Sequence, residues 1–188
     1  MLAKAVARYV RMTPRKVGYV ISPLRKRTVS DALALLSVAC TAAASESAPC
    51  RGPGAHVEVD TARATLHLCN GSALVASFTV ALARNGTGKT ARGDLKTPLG
   101  KYALGRPRAS AKFGTFIPIG YPTEAQKKQG LTGADVGIHG PHRRLEWLGS
   151  MNAWLDWTQG CVAVATDEEI GAIARWVDAA KATWVRLR

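Results

Sequence analysis

The 188-residue chain is poor in acidic side chains and has no long apolar run. It holds 13 Asp and Glu residues against 26 Lys and Arg, which gives a formal net charge of +13. No apolar stretch approaches the roughly 20 residues that a transmembrane helix requires. Apolar residues nevertheless make up 47% of the chain, which predicts a buried core and argues against wholesale disorder. The basic excess favours anionic partners or surfaces, with generic surface charge as the alternative.

Positive charge is concentrated at the amino terminus, where residues 1–36 carry eight Lys and Arg residues and a single acid, Asp31. Two pieces of this segment, "AKAVARYVRMTPRKV" and "SDALALL", closely resemble the amino-terminal segment of the large-subunit ribosomal protein L-twenty-two. In that family the basic segment contacts RNA phosphates. The resemblance covers about a fifth of the chain and then stops. An independent RNA-binding function is therefore not expected, and a fusion, a mis-set start codon or a chimera would each explain the segment.

The same region also has features of an export signal. A basic triplet at 25–27 precedes a short apolar run at 32–39, and three alanines at 42–44 offer a cleavage site. We therefore expect residues 1–44 to be a basic leader that directs the protein to the periplasm or cell envelope, with a plain amphipathic helix as the alternative. Cys40 is a weak candidate for a lipoprotein-type site, because the preferred Leu lies one position too early.

The remainder of the chain is predicted to be a Ser-, Pro- and Gly-rich linker at 45–55 followed by one folded domain at 56–188. Short alternating or apolar runs predict strands, as in "HVEVD", "ATLHLC", "ALVASFTVAL", "FIPIG" and "VGIHG". The pair Asn70 and Gly71 predicts a hairpin turn of type I′. We expect a mainly β (α+β) fold, built as a sandwich or an open barrel.

Two helices are expected beside the strands, a short one near 123–129 and a carboxy-terminal one over 167–181. Each begins with a capping box, in which a Thr is followed three residues later by Gln or Glu. The residues are Thr123 with Gln126, and Thr166 with Glu169. In the second helix, three apolar residues at helical spacing predict the buried face: Ile170, Ile173 and Val177.

The stretch "GTGKTARGD" contains part of a phosphate-binding loop. Gly88, Lys89 and Thr90 match the end of the P-loop pattern, but Ala83 stands where that pattern needs a glycine, and no helix pattern follows. Neither nucleotide binding nor any other cofactor is expected. The stretch is predicted to be a hairpin loop in which the glycines supply turns.

Cys161 and His139 are the candidate pair for nucleophilic catalysis. A cysteine nucleophile needs a base to form the thiolate, yet these residues stand 22 positions apart, so only the fold can join them. From spacing alone, a buried structural role for Cys161 is favoured. A zinc site with His142 as a third ligand is less favoured, because Pro141 argues against a helical histidine pair.

Four blocks in order resemble the L,D-transpeptidase catalytic domain, which has the YkuD-like fold: "RNGTGKTARGDLKTPLGKYAL", "FGTFIPIGYPT", "GIHG" and "DWTQGCVAVATDEEI". The resemblance covers about residues 56–187. The positions that match the family motif are His139, Thr158, Gly160 and Cys161. Gln159 replaces the second histidine of the motif, and Ala163 stands where many members carry Arg or Asn. These departures leave the preferred acyl donor open.

The resemblance implies a cysteine acyltransferase that acts on peptidoglycan stem peptides and either forms cross-links or exchanges the terminal D-amino acid. Cys161 would be the nucleophile and His139 the base, oriented by the carbonyl of Gly140. Backbone N–H groups of Gly160 and Cys161 would hold the oxyanion. An L,D-carboxypeptidase with the same site and a non-catalytic wall-binding module are the alternatives.

The family resemblance also implies that no metal is needed and that carbapenem β-lactams would inhibit the protein. We expect the catalytic domain to bind no nucleic acid and to be a monomer. Less specific candidates for substrate contact are Tyr121, Trp157, Thr158, Gln159 and Arg143. The aromatic residues among them would equally suit core or lid packing, and Arg143 a solvated loop. Asp156 is expected to make a local turn hydrogen bond.

Three cysteines would remain after removal of the leader. Cys50 and Cys69 would be able to pair in an oxidising compartment and leave Cys161 as a free thiol. The flexible "CRGPG" makes this pairing feasible, but the sequence leaves it open.

Overall fold

The computed structural model describes residues 49–153 and 156–188. Contacts between Cα atoms divide the chain into residues 1–47 and residues 48–188, and the described residues belong to the second unit. The predicted leader and the first four residues of the predicted linker, 45–48, lie outside the described residues, so export and the domain boundaries stay predictions. Within these two ranges, no helix is long and apolar enough to cross a membrane.

The described domain is built on one curled sheet of nine strands. The strands are β1 (Ala55–Asp60), β2 (Thr65–Asn70), β3 (Ala73–Ala81), β4 (Gly100–Ala103), β5 (Arg108–Ser110), β6 (Gly114–Pro118), β7 (Gly137–His139), β8 (Val162–Val164) and β9 (Trp184–Leu187). Their order across the sheet is β4-β9-β1-β2-β3-β8-β7-β6-β5. Two pairs, β1 with β9 and β7 with β8, are parallel. The prediction of a mainly β fold is confirmed, in its open-barrel form.

The hairpin between β2 and β3 is confirmed, but its turn lies one residue further along than predicted. Asn70 pairs with Ala73, so the two central residues are Gly71 and Ser72. Gly71 has φ = +61°. A glycine with positive φ at the first central position is the pattern of a type II′ turn. The predicted type I′ turn is wrong because Asn70 belongs to the strand.

Both predicted helices and both capping boxes are confirmed: α1 is Glu124–Lys128 and α2 is Asp167–Ala180. The side chains of Thr123 and Thr166 each accept a hydrogen bond from the backbone three residues on. The second helix ends at Ala180 because Lys181 adopts a left-handed conformation, with φ = +53°.

The core packs the apolar face of α2 against the sheet. The predicted stripe is confirmed, since Ile170, Ile173 and Val177 are all buried. They join one cluster with inward-facing residues of the strands, among them Val57, Val59, Leu66, Leu68, Ile138, Val162 and Val185. The alternation of these residues along β1 and β2 follows the two-residue period of strands.

A disulfide joins Cys50, five residues before β1, to Cys69 in β2. The two Cα atoms are 5.5 Å apart, and both side chains are buried. The pairing that the sequence left open is therefore present, and it attaches the middle of the predicted linker to the sheet.

We expect the double substitution Cys50→Ala, Cys69→Ala to lower the free energy of unfolding by about 2–4 kcal/mol, since the cross-link restricts the unfolded chain. Urea unfolding followed by circular dichroism measures this loss. Addition of a reductant should lower the urea unfolding midpoint of the wild type by a comparable amount. The same shift is expected for Cys161→Ala, because this variant keeps the disulfide. An unfolding midpoint that does not respond to reductant would contradict the prediction.

Candidate active site

The parallel pairing of β7 and β8 brings His139 towards Cys161. His139 is the last residue of β7, and Cys161 immediately precedes β8. The register places Ile138 opposite Val162 and His139 opposite Ala163. Cys161 stands two positions before Ala163, so the alternation of side chains assigns it to the face that His139 shares. The register thus assigns two residues 22 positions apart to one face of the sheet.

His139 is buried and has one nitrogen occupied. Its Nδ1 lies 2.7 Å from the carbonyl oxygen of Gly140, the contact that the family resemblance implies. Because a carbonyl only accepts hydrogen bonds, Nδ1 carries the proton and Nε2 keeps the lone pair. Burial lowers the pKa of His139 to about 4, although the Gly140 carbonyl acts in the opposite direction. At neutral pH the ring is therefore a neutral base.

Aromatic rings enclose the imidazole of His139. Phe113 stacks on it with ring centroids 3.8 Å apart, and Trp157 meets it edge-on at 5.7 Å. The indole nitrogen of Trp157 donates to the carbonyl of Asn152, at 2.9 Å. This contact fixes the indole as a wall of the histidine pocket.

Cys161 is partly exposed, and its thiol donates to the carbonyl of Asp135, at 3.5 Å. Desolvation raises the pKa of the thiol to about 11. A backbone hydrogen bond from Gly137 and the positive charge of Lys89 lower this pKa, but by less than desolvation raises it. The negative charge of Asp135 raises it further. The resting pair is thus a neutral thiol and a neutral imidazole, which calls for activation by a general base and not for a preformed thiolate.

Thr158 holds the turn that carries the cysteine. Its hydroxyl donates to the carbonyl of Cys161 at 2.7 Å and accepts a longer bond of 3.3 Å from the N–H of Gly160. Its own backbone bonds to Leu82 and Arg84, just past the end of β3. The buried Thr158 therefore anchors the turn to the sheet.

Gly160 is required by both its conformation and its surroundings. Its φ is +140°, where side chains are rarely tolerated. A Cβ there would lie 3.1 Å from the carbonyl oxygen of Lys96, in the loop between β3 and β4. That loop thus forms a wall directly against the cysteine turn.

The structure places the other candidate residues differently. Gln159 is exposed in the turn. Tyr121 is buried, and its hydroxyl donates to the carbonyls of Lys89 and Thr132 at 3.1 and 3.4 Å. Arg143 pairs with Asp167 at the start of α2, at 2.9 Å. The catalytic and substrate-binding roles of all the candidate residues stay predictions.

Some residues of the site were not predicted from the sequence. Phe113, the carbonyl of Asp135 and the side chain of Lys89 each act on the histidine or the cysteine. Lys89 lies in "GTGKTARGD". The high glycine content around a lysine and an aspartate in this stretch was the feature of the sequence that could have indicated a closely packed loop. The expected local bond of Asp156 is wrong: its carboxylate accepts from the N–H of Leu82, 74 positions away, at 2.7 Å.

A family model of the YkuD L,D-transpeptidase catalytic domain matches residues 54–186. The chain belongs to this family. The match contains the β7–β8 pair, the cysteine turn and the loop between β3 and β4.

Solved structures share the fold of this L,D-transpeptidase domain. The helical cell shape determining protein Pgp2 from Campylobacter jejuni is 23% identical, with a TM-score of 0.62, over 78% of this chain and 53% of its own. Bd1075 from Bdellovibrio bacteriovorus is 16% identical, with a TM-score of 0.54, over 72% of this chain and 48% of its own. The chain thus spans about half the length of these proteins.

Curated relatives match only a short segment of the chain. The large ribosomal subunit protein uL22 of Desulfitobacterium hafniense is 62% identical over 34 residues, which are 18% of this chain and 30% of that protein. The uL22 protein of Clostridium tetani is 54% identical over 37 residues, 20% of this chain and 33% of its own. The chain covers about a third of each, and the match is incidental to the L,D-transpeptidase domain.

The neutral resting pair predicts how Cys161 reacts with pH. Because the pKa of its thiol is raised to about 11, the rate of alkylation by iodoacetamide should rise about tenfold per pH unit from pH 7 to about 10, without a plateau. Peptide-level mass spectrometry separates Cys161 from Cys40. Free glutathione is the reference, and a Cys161 plateau below pH 8 would contradict the neutral thiol.

Proposed function

We propose that this domain is a cysteine acyltransferase that acts on peptidoglycan stem peptides as an L,D-transpeptidase. The observation that carries the proposal is the β7–β8 pairing, in a domain of this family, which sets a buried neutral base on the face of the cysteine. Such a pair supports general-base activation of a thiol.

In the first half-reaction, the sulfur of Cys161 attacks the carbonyl carbon of the amide between an L- and a D-centre. His139 takes the thiol proton on Nε2, the nitrogen left free by the bond between Nδ1 and Gly140. The carbonyl oxygen becomes negative and is held by the backbone N–H of Cys161 and by that of Gly160, which gives up its long 3.3 Å bond to the Thr158 hydroxyl. The imidazolium then protonates the leaving nitrogen, the C–N bond breaks, and a thioester remains.

In the second half-reaction, an amine of another stem peptide attacks the thioester carbonyl. His139 takes the proton of that amine, the C–S bond breaks, and the proton returns to the sulfur. The product is a new amide, which cross-links two stems or exchanges the terminal D-amino acid. Water in place of the amine would give hydrolysis, the L,D-carboxypeptidase reaction.

The surroundings of His139 support acyl transfer. Phe113 and Trp157 pack on the ring, and burial keeps it neutral, so Nε2 is a base across the whole neutral range. A stem peptide is a substrate of the cell envelope, which agrees with the export proposed for residues 1–44. The name of Pgp2, a cell-shape protein of the same fold, points to the same envelope setting.

The proposal predicts a covalent adduct between a carbapenem and Cys161, because the strained lactam amide presents the same carbonyl to the sulfur. Intact-mass spectrometry should show one added carbapenem on the wild type and none on Cys161→Ala. His139→Gln should slow acylation by at least about a hundredfold, the usual contribution of a general base. A wild type that stays unmodified would refute the nucleophile.

A second experiment separates transfer from hydrolysis. Incubation with purified tetrapeptide stems should give cross-linked dimers and free D-amino acid, resolved by liquid chromatography and mass spectrometry. Cys161→Ala should give neither. Tripeptides without dimers would assign the domain as an L,D-carboxypeptidase, and an unchanged substrate would favour a non-catalytic wall-binding module.

A further inference from the structure

Lys89 is a buried charge to which the reaction described above gives no part. Its side chain is only 5% exposed, which is rare for lysine. The ammonium group donates to a carboxylate oxygen of Asp94 at 2.7 Å and to the carbonyl of Ala91 at 3.1 Å. Lys89 is thus paired within its own loop, as buried charged side chains generally are.

Two glycines make the slot in which this side chain lies. A Cβ on Gly133 would lie 2.9 Å from Cε of Lys89, and a Cβ on Gly160 would lie 3.7 Å from its Nζ. Both glycines have positive φ, +122° and +140°. The lysine therefore runs between two closely approaching backbone segments, and its charged end lies against the turn that carries Cys161.

The ammonium group is held in place from several sides. Asp94 also accepts the N–H groups of Thr90, Ala91 and Lys96. Although desolvation opposes it, these bonds and the bond from Lys89 hold the pKa of the carboxyl below its usual range. The hydroxyl of Tyr121 donates to the backbone carbonyl of Lys89. Such a fixed cation needs no rearrangement when a negative charge develops beside it.

We propose that Lys89 is a positioning residue whose fixed positive charge favours the thiolate of Cys161 at the moment when His139 removes the proton. The proposal rests on the proposed role of Cys161 as nucleophile. Among the described charged groups that act on this thiol, Lys89 favours the thiolate and Asp135 opposes it. His139 faces it as a neutral ring, and Asp94 partly offsets the lysine.

The alternative is a purely structural ion pair that closes the loop between β3 and β4. The two roles differ in what they demand of the side chain. A structural pair demands a fitted partner for Asp94, whereas the proposed role demands a positive charge beside the cysteine turn. Thiol reactivity therefore separates them, and thermal stability does not.

The test compares alkylation of Cys161 by iodoacetamide in four proteins: wild type, Lys89→Met, Lys89→Arg and Lys128→Met. Lys128 is exposed on α1, so its loss removes the same net charge far from any buried pair. Lys89→Met should lower the rate about tenfold at each pH from 7 to 9, which corresponds to a thiol pKa raised by about one unit. Lys89→Arg should stay within about threefold of the wild type, and Lys128→Met should match it.

Several results would overturn the proposal. One is an alkylation rate for Lys89→Met that lies within about twofold of the wild-type rate or above it. Another is an alkylation rate for Lys89→Arg that is lowered as much as the rate for Lys89→Met. If Lys89→Met does not fold, Asp94→Asn decides, because it keeps the lysine charge and removes the opposing one. Its thiol must then react at least as fast as the wild type, and a slower thiol would show a structural role.

The readout is independent of the proposed function, since iodoacetamide alkylates a thiol whether or not the protein is an enzyme. Failure of the wild type to form the carbapenem adduct would remove the transpeptidase proposal. It would leave the comparison of Lys89 variants intact as a measurement of the charge beside Cys161.

Discussion

The parallel pairing of β7 and β8 is the constraint on which the site depends. Parallel neighbours cannot be joined by a tight turn, so the chain must leave the end of β7 and return over a long connection. Here that connection runs from Gly140 to Cys161, and it begins with the carbonyl that orients His139 and ends with the nucleophile candidate. Along the way it supplies Trp157, whose indole closes one side of the histidine pocket. One crossover thus delivers the orienting group, the wall and the thiol.

Desolvation acts on the two reacting groups in opposite directions and leaves both neutral. Burial disfavours the imidazolium, which lowers the pKa of His139, and it disfavours the thiolate, which raises the pKa of Cys161. A reacting pair without formal charge in the resting state depends on neighbouring groups that stabilise charge as it develops. Backbone N–H groups and a fixed cation at Lys89 are of that kind, since their orientation is set before the reaction.

Local features of this fold could be predicted from the sequence, and non-local ones could not. The capping boxes at Thr123 and Thr166 and the stripe along α2 rest on neighbours within a few residues, and all are confirmed. The bond from Leu82 to Asp156 and the burial of Lys89 depend on segments that the chain brings together from far apart. The pair of His139 and Cys161 became predictable only through the ordered blocks of a family, because spacing alone favoured a structural cysteine.

The two departures from the family pattern act in different places. Ala163 is fully buried in β8 and pairs with His139 across the parallel ladder. A larger polar residue there would have to fit beside the imidazole, so alanine at this position leaves the histidine walled by aromatic rings and backbone. Gln159, by contrast, is exposed in the cysteine turn, where its amide offers a donor and an acceptor to whatever approaches the thiol. The first departure therefore lies beside the imidazole of His139, and the second lies at the exposed surface of the cysteine turn.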